Sequence, residues 1–194
     1  MNLPAALSLA RKAVILLSGG LDSTLAARIV RDQGIELHAI HFTSPFCTCS
    51  HNGRGTGSGC RSAAQEVAVG MGIPIRTVSK GEEYLEIVKH PRHGRGSAMN
   101  PCIDCRIFTL RKARAFMTEI GASFLVTGEV VGQRPMSQRD DALRGIEKHS
   151  GCAGIILRPL SALHLPPTLP EREGWVDRER GPGGEGLMGR SRTR

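Results

Sequence analysis

Aromatic side chains make up only 4% of this 194-residue chain. That scarcity argues against a stacking platform for single-stranded nucleic acid, which needs several exposed rings. Long apolar runs are missing as well. The longest near the start, Ala13–Leu17, falls far short of the roughly 18 residues that a membrane helix needs. Residues 3–10 are mildly apolar, but Arg11 and Lys12 follow them, the reverse of the order in a secretory signal. The expectation is a soluble, cytoplasmic chain with no membrane partner. Lysine is scarce, five residues against twenty-one arginines, and no glycine is followed by lysine, which excludes a Walker loop.

What is present reads as globular. Hydrophobic residues are 40% and charged residues 23%, both ordinary values. The length suits one α/β core, read here as residues 1–164, with a Pro-, Gly- and charge-rich tail over 165–194 that is extended and weakly packed. The net charge of +8, carried mainly by arginine, points towards polyanions, because a guanidinium offers forked donors to phosphate. Six cysteines, Cys47, Cys49, Cys60, Cys102, Cys105 and Cys152, read in a chain of this kind as metal ligands or catalytic thiols rather than a disulfide framework.

One pattern recurs three times: an amphipathic helix, a glycine, then a short apolar strand. The helices are Leu21–Gln33, Arg61–Met71 and Ile103–Ile120, and Gly34, Gly72 and Gly121 end them. In the first, Leu21, Leu25, Ile29 and Val30 form the apolar stripe. The strand Ala13–Leu17 precedes the first unit, and Gly154–Leu157 adds a last one. Strands alternating with helices predict a doubly wound parallel sheet. Ligands of such sheets bind beyond the carboxyl ends of the strands. Those ends lead into Ser18, Thr43, Ser79 and Gly128, and a long Gly-, Ser- and Cys-rich loop fills 43–60.

The sequence S-G-G-L-D-S-T, Ser18, Gly19, Gly20, Leu21, Asp22, Ser23 and Thr24, follows a strand and opens a helix. Two glycines let the backbone approach an anion, and the helix start offers free N–H groups and a positive dipole end. Ser18, Ser23 and Thr24 add hydroxyls. A carboxylate at Asp22 inside a phosphate cradle implies a cation between them, which makes Asp22 a candidate Mg²⁺ contact. The second motif is N-P-C-I-D-C-R, Asn100–Arg106. Cys102 and Cys105 lie three apart at a helix start, where the dipole and Arg106 favour thiolate. Arg106 shares the Ile103 and Leu110 stripe and is expected to point inward. The cysteines suit a redox pair, half of a zinc site completed by Cys47, Cys49, Cys60 or His51, or ligands of an iron–sulfur cluster. Cys152 stands alone in the sequence and, by itself, reads as a buried small side chain. Arg134, Arg139 and Arg144 are candidate RNA phosphate contacts on a loop over 128–144.

The Ser18–Thr24 loop resembles the PP-loop of the ATP pyrophosphatase superfamily, with its adenine-nucleotide α-hydrolase-like (HUP-type) fold. That resemblance implies cleavage of ATP between the α and β phosphates, adenylation of a carbonyl oxygen, an adenine-lining segment at Ala39–Phe42 including His41 and Phe42, and a nucleotide-facing glycine at Gly128. N-P-C-x-x-C after a PP-loop is similar to the tRNA thiouridine synthases. The stretches Thr127–Gln138, Leu157–Ala162 and Pro170–Arg178 extend the resemblance to roughly residues 13–180. It implies tRNA as substrate and a sulfur donor protein, a cysteine desulfurase or a relay, as partner; a second copy of the chain is a further candidate. In one branch Cys105 resembles the persulfide-carrying or attacking thiol, with Cys152 the downstream partner. In another, Cys102, Cys105 and Cys152 would hold a [4Fe-4S] cluster. The alternatives are adenylation of another acceptor, by small-cofactor sulfur insertion or amide ligation, and a non-catalytic nucleotide- or Fe–S-binding module.

Overall fold

The structure, a computed structural model, describes residues 11–44, 63–96, 100–134 and 136–181. Five strands form one sheet: β1 (Lys12–Leu16), β2 (Glu36–Thr43), β3 (Ile75–Ser79), β4 (Phe124–Thr127) and β5 (Ile156–Leu157). Every pairing is parallel and the order is β3-β2-β1-β4-β5. The central strand β1 reads as a continuous apolar run because both of its faces are covered. Its side chains alternate between two layers. Ile15 packs with Ala26, Ala27, Val30, Ala64 and Ala68 on one side. Val14 packs with Leu110, Ala113, Met117 and Ile146 on the other.

The helices supplying those layers are α1 (Leu21–Arg31), α2 (Ala63–Gly70), α3 (Gly81–Lys89), α4 (Cys102–Glu119), α5 (Asp140–Ser150) and the single-turn α6 (Leu169–Arg172). The doubly wound fold is as expected, and Gly34, Gly72 and Gly121 take the left-handed conformation that closes three helices, at φ +83°, +62° and +67°. No helix among the described residues is long and apolar enough to cross a membrane. Because β2 and β4 lie on opposite sides of β1, the strand order reverses there, and a crevice opens beyond their carboxyl ends.

Three differences from the sequence reading have physical causes. Helix α3 was not anticipated. Its apolar residues Tyr84, Leu85, Ile87 and Val88 recur at helical spacing but over only nine residues, and just one of them, Tyr84, is buried. Helix α5 occupies part of what reads as an arginine-rich loop, and only Leu143 and Ile146 mark its buried face among polar neighbours. Leu21 does not join the α1 stripe: it sits at the first helical position, 80% exposed, while Ser23, Ala26, Ala27 and Val30 face the core.

The tail reading is corrected for residues 165–181, which pack onto the domain. Thr168 N–H donates to the Glu171 carboxylate (2.6 Å) at the start of α6, a local capping contact that glycine and proline content conceals. Val176 is buried in the core, and Trp175 lies 6.2 Å from Phe124, ring centre to ring centre. The Arg11 guanidinium covers the Trp175 ring at 4.4 Å. Two apolar anchors suffice to order the segment. The Cys47, Cys49, Cys60 and His51 readings, and residues 182–194, lie outside the described residues. Val176→Asp places an unpaired carboxylate against this core and is expected to cost more than about 2 kcal/mol of stability, read as a fall in the urea midpoint.

Candidate functional site

The chain leaves β1 through Leu17 and turns at Ser18–Gly20 into α1. Ser18 N–H donates to Ser23 Oγ (3.3 Å), and the Ser23 and Thr24 hydroxyls both donate to the Gly20 carbonyl, at 2.9 and 3.0 Å. Those hydroxyls therefore shape the loop from within. No side chain caps the start of α1, which leaves its first N–H groups available to an anion. Ser18, Gly20, Leu21, Asp22 and Ser23 line a cavity of about 550 Å³; Gly19 and Thr24 do not. Gly19 turns at φ +83° against α2, where a Cβ would lie 2.6 Å from Ala63 Cβ. Gly128, at the end of β4, lines the cavity but is glycine for another reason: a Cβ there would lie 2.5 Å from Ser23 N. The first turn of α1 rests directly on the end of β4.

His41 and Phe42, at the end of β2, line the same cavity, as the sequence reading expects. The His41 Nδ1–H donates to the Leu17 carbonyl (2.9 Å), which fixes the ring beside the loop. The opposite wall is the start of α4, with Cys102, Cys105, Arg106 and Thr109. Two motifs some eighty residues apart in the chain thus share one cavity.

Four cavity residues escaped the sequence reading. Lys80, just beyond β3, places Nζ 3.1 Å from Cys105 Sγ and 4.5 Å from the centre of the Tyr84 ring. An ammonium at that distance stabilises negative charge on sulfur. Tyr84 adjoins the same thiol; burial, then the neighbouring Cys105 and Cys102, push its pKa up. Gln133 Nε2 donates to an Asp22 carboxylate oxygen (3.1 Å). Glu129, buried at the end of β4, accepts from Arg106 Nε at 2.6 Å, Arg158 Nε at 3.0 Å and Thr127 Oγ1 at 3.1 Å. Arg158 also pairs with Glu147. Arg106 points inward as expected, and Glu129 is the reason. No pattern of spacing announces that carboxylate; it follows Gly128 at a strand end, which was the available signal.

Cys152 is not brought to the site. It is fully buried in the layer between sheet and α4, with its Sγ against the carbonyls of Leu110 and Ser150. Leu110 lies five residues along α4 from Cys105, about 8 Å down the helix axis. Burial pushes the Cys152 thiol pKa up, which disfavours a reactive thiolate. The three-cysteine set of Cys102, Cys105 and Cys152 is therefore corrected to a pair. Among the described residues, no three His, Cys, Asp or Glu side chains are grouped to hold a metal ion. Asp104, between the two cysteines, turns away from the cavity and accepts from His93 N (2.9 Å) and pairs with His93 Nδ1 (2.8 Å). Arg134 lines the cavity, whereas Arg139 pairs with Asp141 and Arg144 with Asp140 on the surface of α5.

Burial alone would raise the Glu129 pKa, but the Arg106 and Arg158 guanidiniums override it and hold the carboxyl at about 2, below its ordinary 4.5. A depressed folded value means that the stabilisation is present above the unfolded value of 4.5 and is lost as pH falls towards 2. Acid unfolding of the wild type is expected to steepen across that window. Glu129→Gln leaves the buried Arg158 and the half-buried Arg106 without their shared carboxylate and is expected to cost about 3 kcal/mol at neutral pH, with a flatter acid limb. Denaturant titrations between pH 2 and 7 measure both.

The family model described as Thiamine biosynthesis protein (ThiI) matches residues 8–164. A tRNA-specific 2-thiouridylase MnmA from Marinobacter nauticus is 28% identical over 152 residues, covering 70% of this chain and 36% of that protein. A probable tRNA sulfurtransferase from Caldanaerobacter subterraneus is 30% identical over 122 residues, covering 63% of this chain and 30% of that protein. Thus the chain spans about a third of the length of these curated relatives. A solved 4-thiouridine synthetase–RNA complex with bound ATP aligns at a TM-score of 0.59 and 22% identity, over 93% of this chain and 48% of that one, a likeness of fold. The family match covers both the loop after β1 and the cysteine pair at the start of α4, and on that extent the chain belongs to the ThiI family.

Proposed function

We propose that this chain is an ATP-dependent tRNA sulfurtransferase, which adenylates a uridine carbonyl of tRNA and replaces its oxygen by sulfur. The observation that carries the reading is the shared cavity: an anion-binding loop and a lysine-paired thiol face each other across it. The activities for which the relatives are named and the ATP and RNA bound in the 4-thiouridine synthetase structure support it. The catalytic unit in this reading runs to residue 164, with 165–181 packed against it.

ATP would lie with its phosphates on the N–H groups of Leu21–Ser23 and its base towards His41 and Phe42. The uridine carbonyl oxygen attacks the α phosphorus, and the bond to the bridging oxygen breaks to release pyrophosphate. Asp22 suits a Mg²⁺ contact, since its only hydrogen-bond donor among the described residues is the weakly held amide of Gln133 and the cavity lies open beside it. Bound there, the cation would neutralise phosphate charge. Adenylation turns a poor leaving oxygen into AMP.

Sulfur then enters from Cys105, loaded as a persulfide by the donor protein. The terminal sulfur attacks the activated carbon and AMP leaves with the oxygen. Cys102 thiolate attacks the Cys105 sulfur and breaks the S–S bond, so the base keeps the sulfur and the two cysteines become a disulfide. A dithiol reductant restores them for the next cycle. Lys80 is the positioning residue for Cys105, holding the charge that the sulfur carries before and after transfer. A cluster on Cys102, Cys105 and Cys152 does not fit the buried place of Cys152, and no step is drawn through one.

A set of variants tests this reading. Asp22→Ala is expected to lower pyrophosphate release from ATP and bulk tRNA by about a hundredfold while the circular dichroism is unchanged. Unchanged release would remove Asp22 from the site. Cys105→Ser is expected to abolish thiolation and retain pyrophosphate release, Lys80→Met to slow thiolation with Lys80→Arg restoring part of it, and Cys152→Ser to thiolate at the wild-type rate. Nucleoside mass spectrometry reads all four. Normal thiolation by the Cys102→Ser, Cys105→Ser double variant would sink the sulfur-transfer step.

A further inference from the structure

The arginines expected to meet RNA do not make a free basic surface. Arg139 and Arg144 are tied to Asp141 and Asp140 within the first turn of α5. A different face is left unneutralised, on the side of α4 away from the cavity. Arg111 and Arg114 project there from α4, and Lys148 and His149 from the last turn of α5; all four are exposed. These side chains border two adjoining hollows that share Arg111, Ala115 and His149 and so form one trough. The carboxylates nearby are already engaged: Glu83 with Lys112, Glu86 with Lys89, Glu147 with Arg158 and Asp104 with His93. Among the described residues, no carboxylate pairs with Arg111, Arg114 or Lys148.

Arg111 is also held in place, with Arg114 close by. Arg111 donates through Nε (3.2 Å) and Nη2 (2.7 Å) to the His149 carbonyl, near the end of α5, which leaves Nη1 without a bond among the described residues. Arg114 lies over Gly151, the left-handed residue that closes α5 at φ +71°; a Cβ there would come within 2.6 Å of Arg114 Nη1. The guanidinium of Arg114 has no bond among the described residues, so it is Arg111 that is fixed. A cation fixed in this way loses little conformational freedom when it meets an anion.

We infer that this trough between α4 and α5 is the surface that grips the phosphate backbone of the RNA substrate. The inference rests on the tRNA reading above and says where that RNA lies. The span of α4 from Asp104 to Thr118 is about 21 Å, too long for a single small anion and suited to successive phosphates. Beside Arg114 the floor is small and polar, with Ala115, Thr118, Ser150 and Gly151, and admits a sugar–phosphate strand; beside Arg111 it is apolar, with Ile87, Ile107 and Phe108. Arg111 stands six residues from Cys105, about 9 Å along the axis and about 120° round a helix roughly 10–12 Å thick. A strand held there brings one nucleotide over the amino end of α4, towards Cys102 and Cys105.

The test is binding of purified bulk tRNA to the full chain, measured across a salt series, for Arg111→Glu, Arg114→Glu, Lys148→Glu in combination. Affinity at low salt is expected to fall at least about tenfold and the salt slope to drop by about 2 to 3, with ATP binding unchanged as evidence of a native fold. The neutral set Arg111→Gln, Arg114→Gln, Lys148→Gln should lie between. A control triple, Arg139→Glu, Arg144→Glu, Arg180→Glu, carries the same charge change on paired surface arginines. An equal loss in that control would show net charge alone at work and overturn the inference. Unchanged tRNA binding in the trough variant would overturn it too, as would unchanged binding with loss of sulfur loading, which would give the trough to the protein donor instead. Wild type that binds no tRNA would bring down the tRNA reading together with the trough. Wild type that binds and thiolates, with a trough variant that does so equally, would remove the trough alone.

Discussion

The Glu129 carboxylate is the point on which the arrangement turns. It sits at the end of β4, buried, and joins Arg106 of α4 to Arg158 just after β5. Without that pairing, two guanidiniums would be left at the edge of the sheet with no shared counter-charge. Buried charge of this kind is tolerated only when each partner is met by others. Here Thr127 and Glu147 add to the set, and of its buried atoms Arg158 Nη2 alone is left without a partner among the described residues. The consequence is geometric as much as energetic. The amino end of α4 is tied to the carboxyl end of β4, so the cysteines cannot drift from the strand ends where the anion loop opens.

A second constraint acts on that loop itself. Its glycines are needed less for freedom than for closeness. Gly128 lets the first turn of α1 sit directly on the end of β4, and Gly19 lets the loop lie against α2. The Ser23 and Thr24 hydroxyls bind the Gly20 carbonyl, so the loop holds its shape from inside and presents backbone N–H groups outward. Recognition by backbone groups at a helix start suits phosphate, whose charge is spread over several oxygens.

Much of this was legible in the sequence. Glycine-terminated helices alternating with apolar strands gave the parallel sheet, and the two motifs fell at strand ends, where the fold collects function. What stayed hidden has one physical character: contacts between residues distant in sequence that leave no periodic trace. Lys80 beside Cys105, Gln133 on Asp22 and Glu129 between two arginines are each a single polar residue at the end of an element. Helices α3 and α5 have apolar residues at helical spacing, but they are short, nine and eleven residues, and lie in stretches dominated by charged side chains, with only Tyr84 buried in one and Leu143, Ile146 and Ser150 in the other. Composition misled at residues 165–181, where Trp175 and Val176 outweigh the prolines and glycines around them. The role given to Cys152 came from the family resemblance; read by itself as a buried small side chain, the residue is where the structure puts it.

Helix α4 explains why its sequence carries so little simple amphipathic pattern. Three environments surround it. Cys102, Cys105, Arg106 and Thr109 face the cavity, Leu110, Ala113 and Met117 face the sheet, and Arg111 and Arg114 face outward. With 3.6 residues per turn, neighbours three or four apart share a face, so a C-x-x-C spacing puts both thiols on the cavity side while the intervening Asp104 turns to His93. A spacing of two would have sent one thiol away from the cavity. The same periodicity that aligns the thiols with the anion loop also sets the cations on the far face in one row. The chemistry of the pair and the reach of the outer surface are thus fixed by a single helix, itself anchored at its amino end by Glu129.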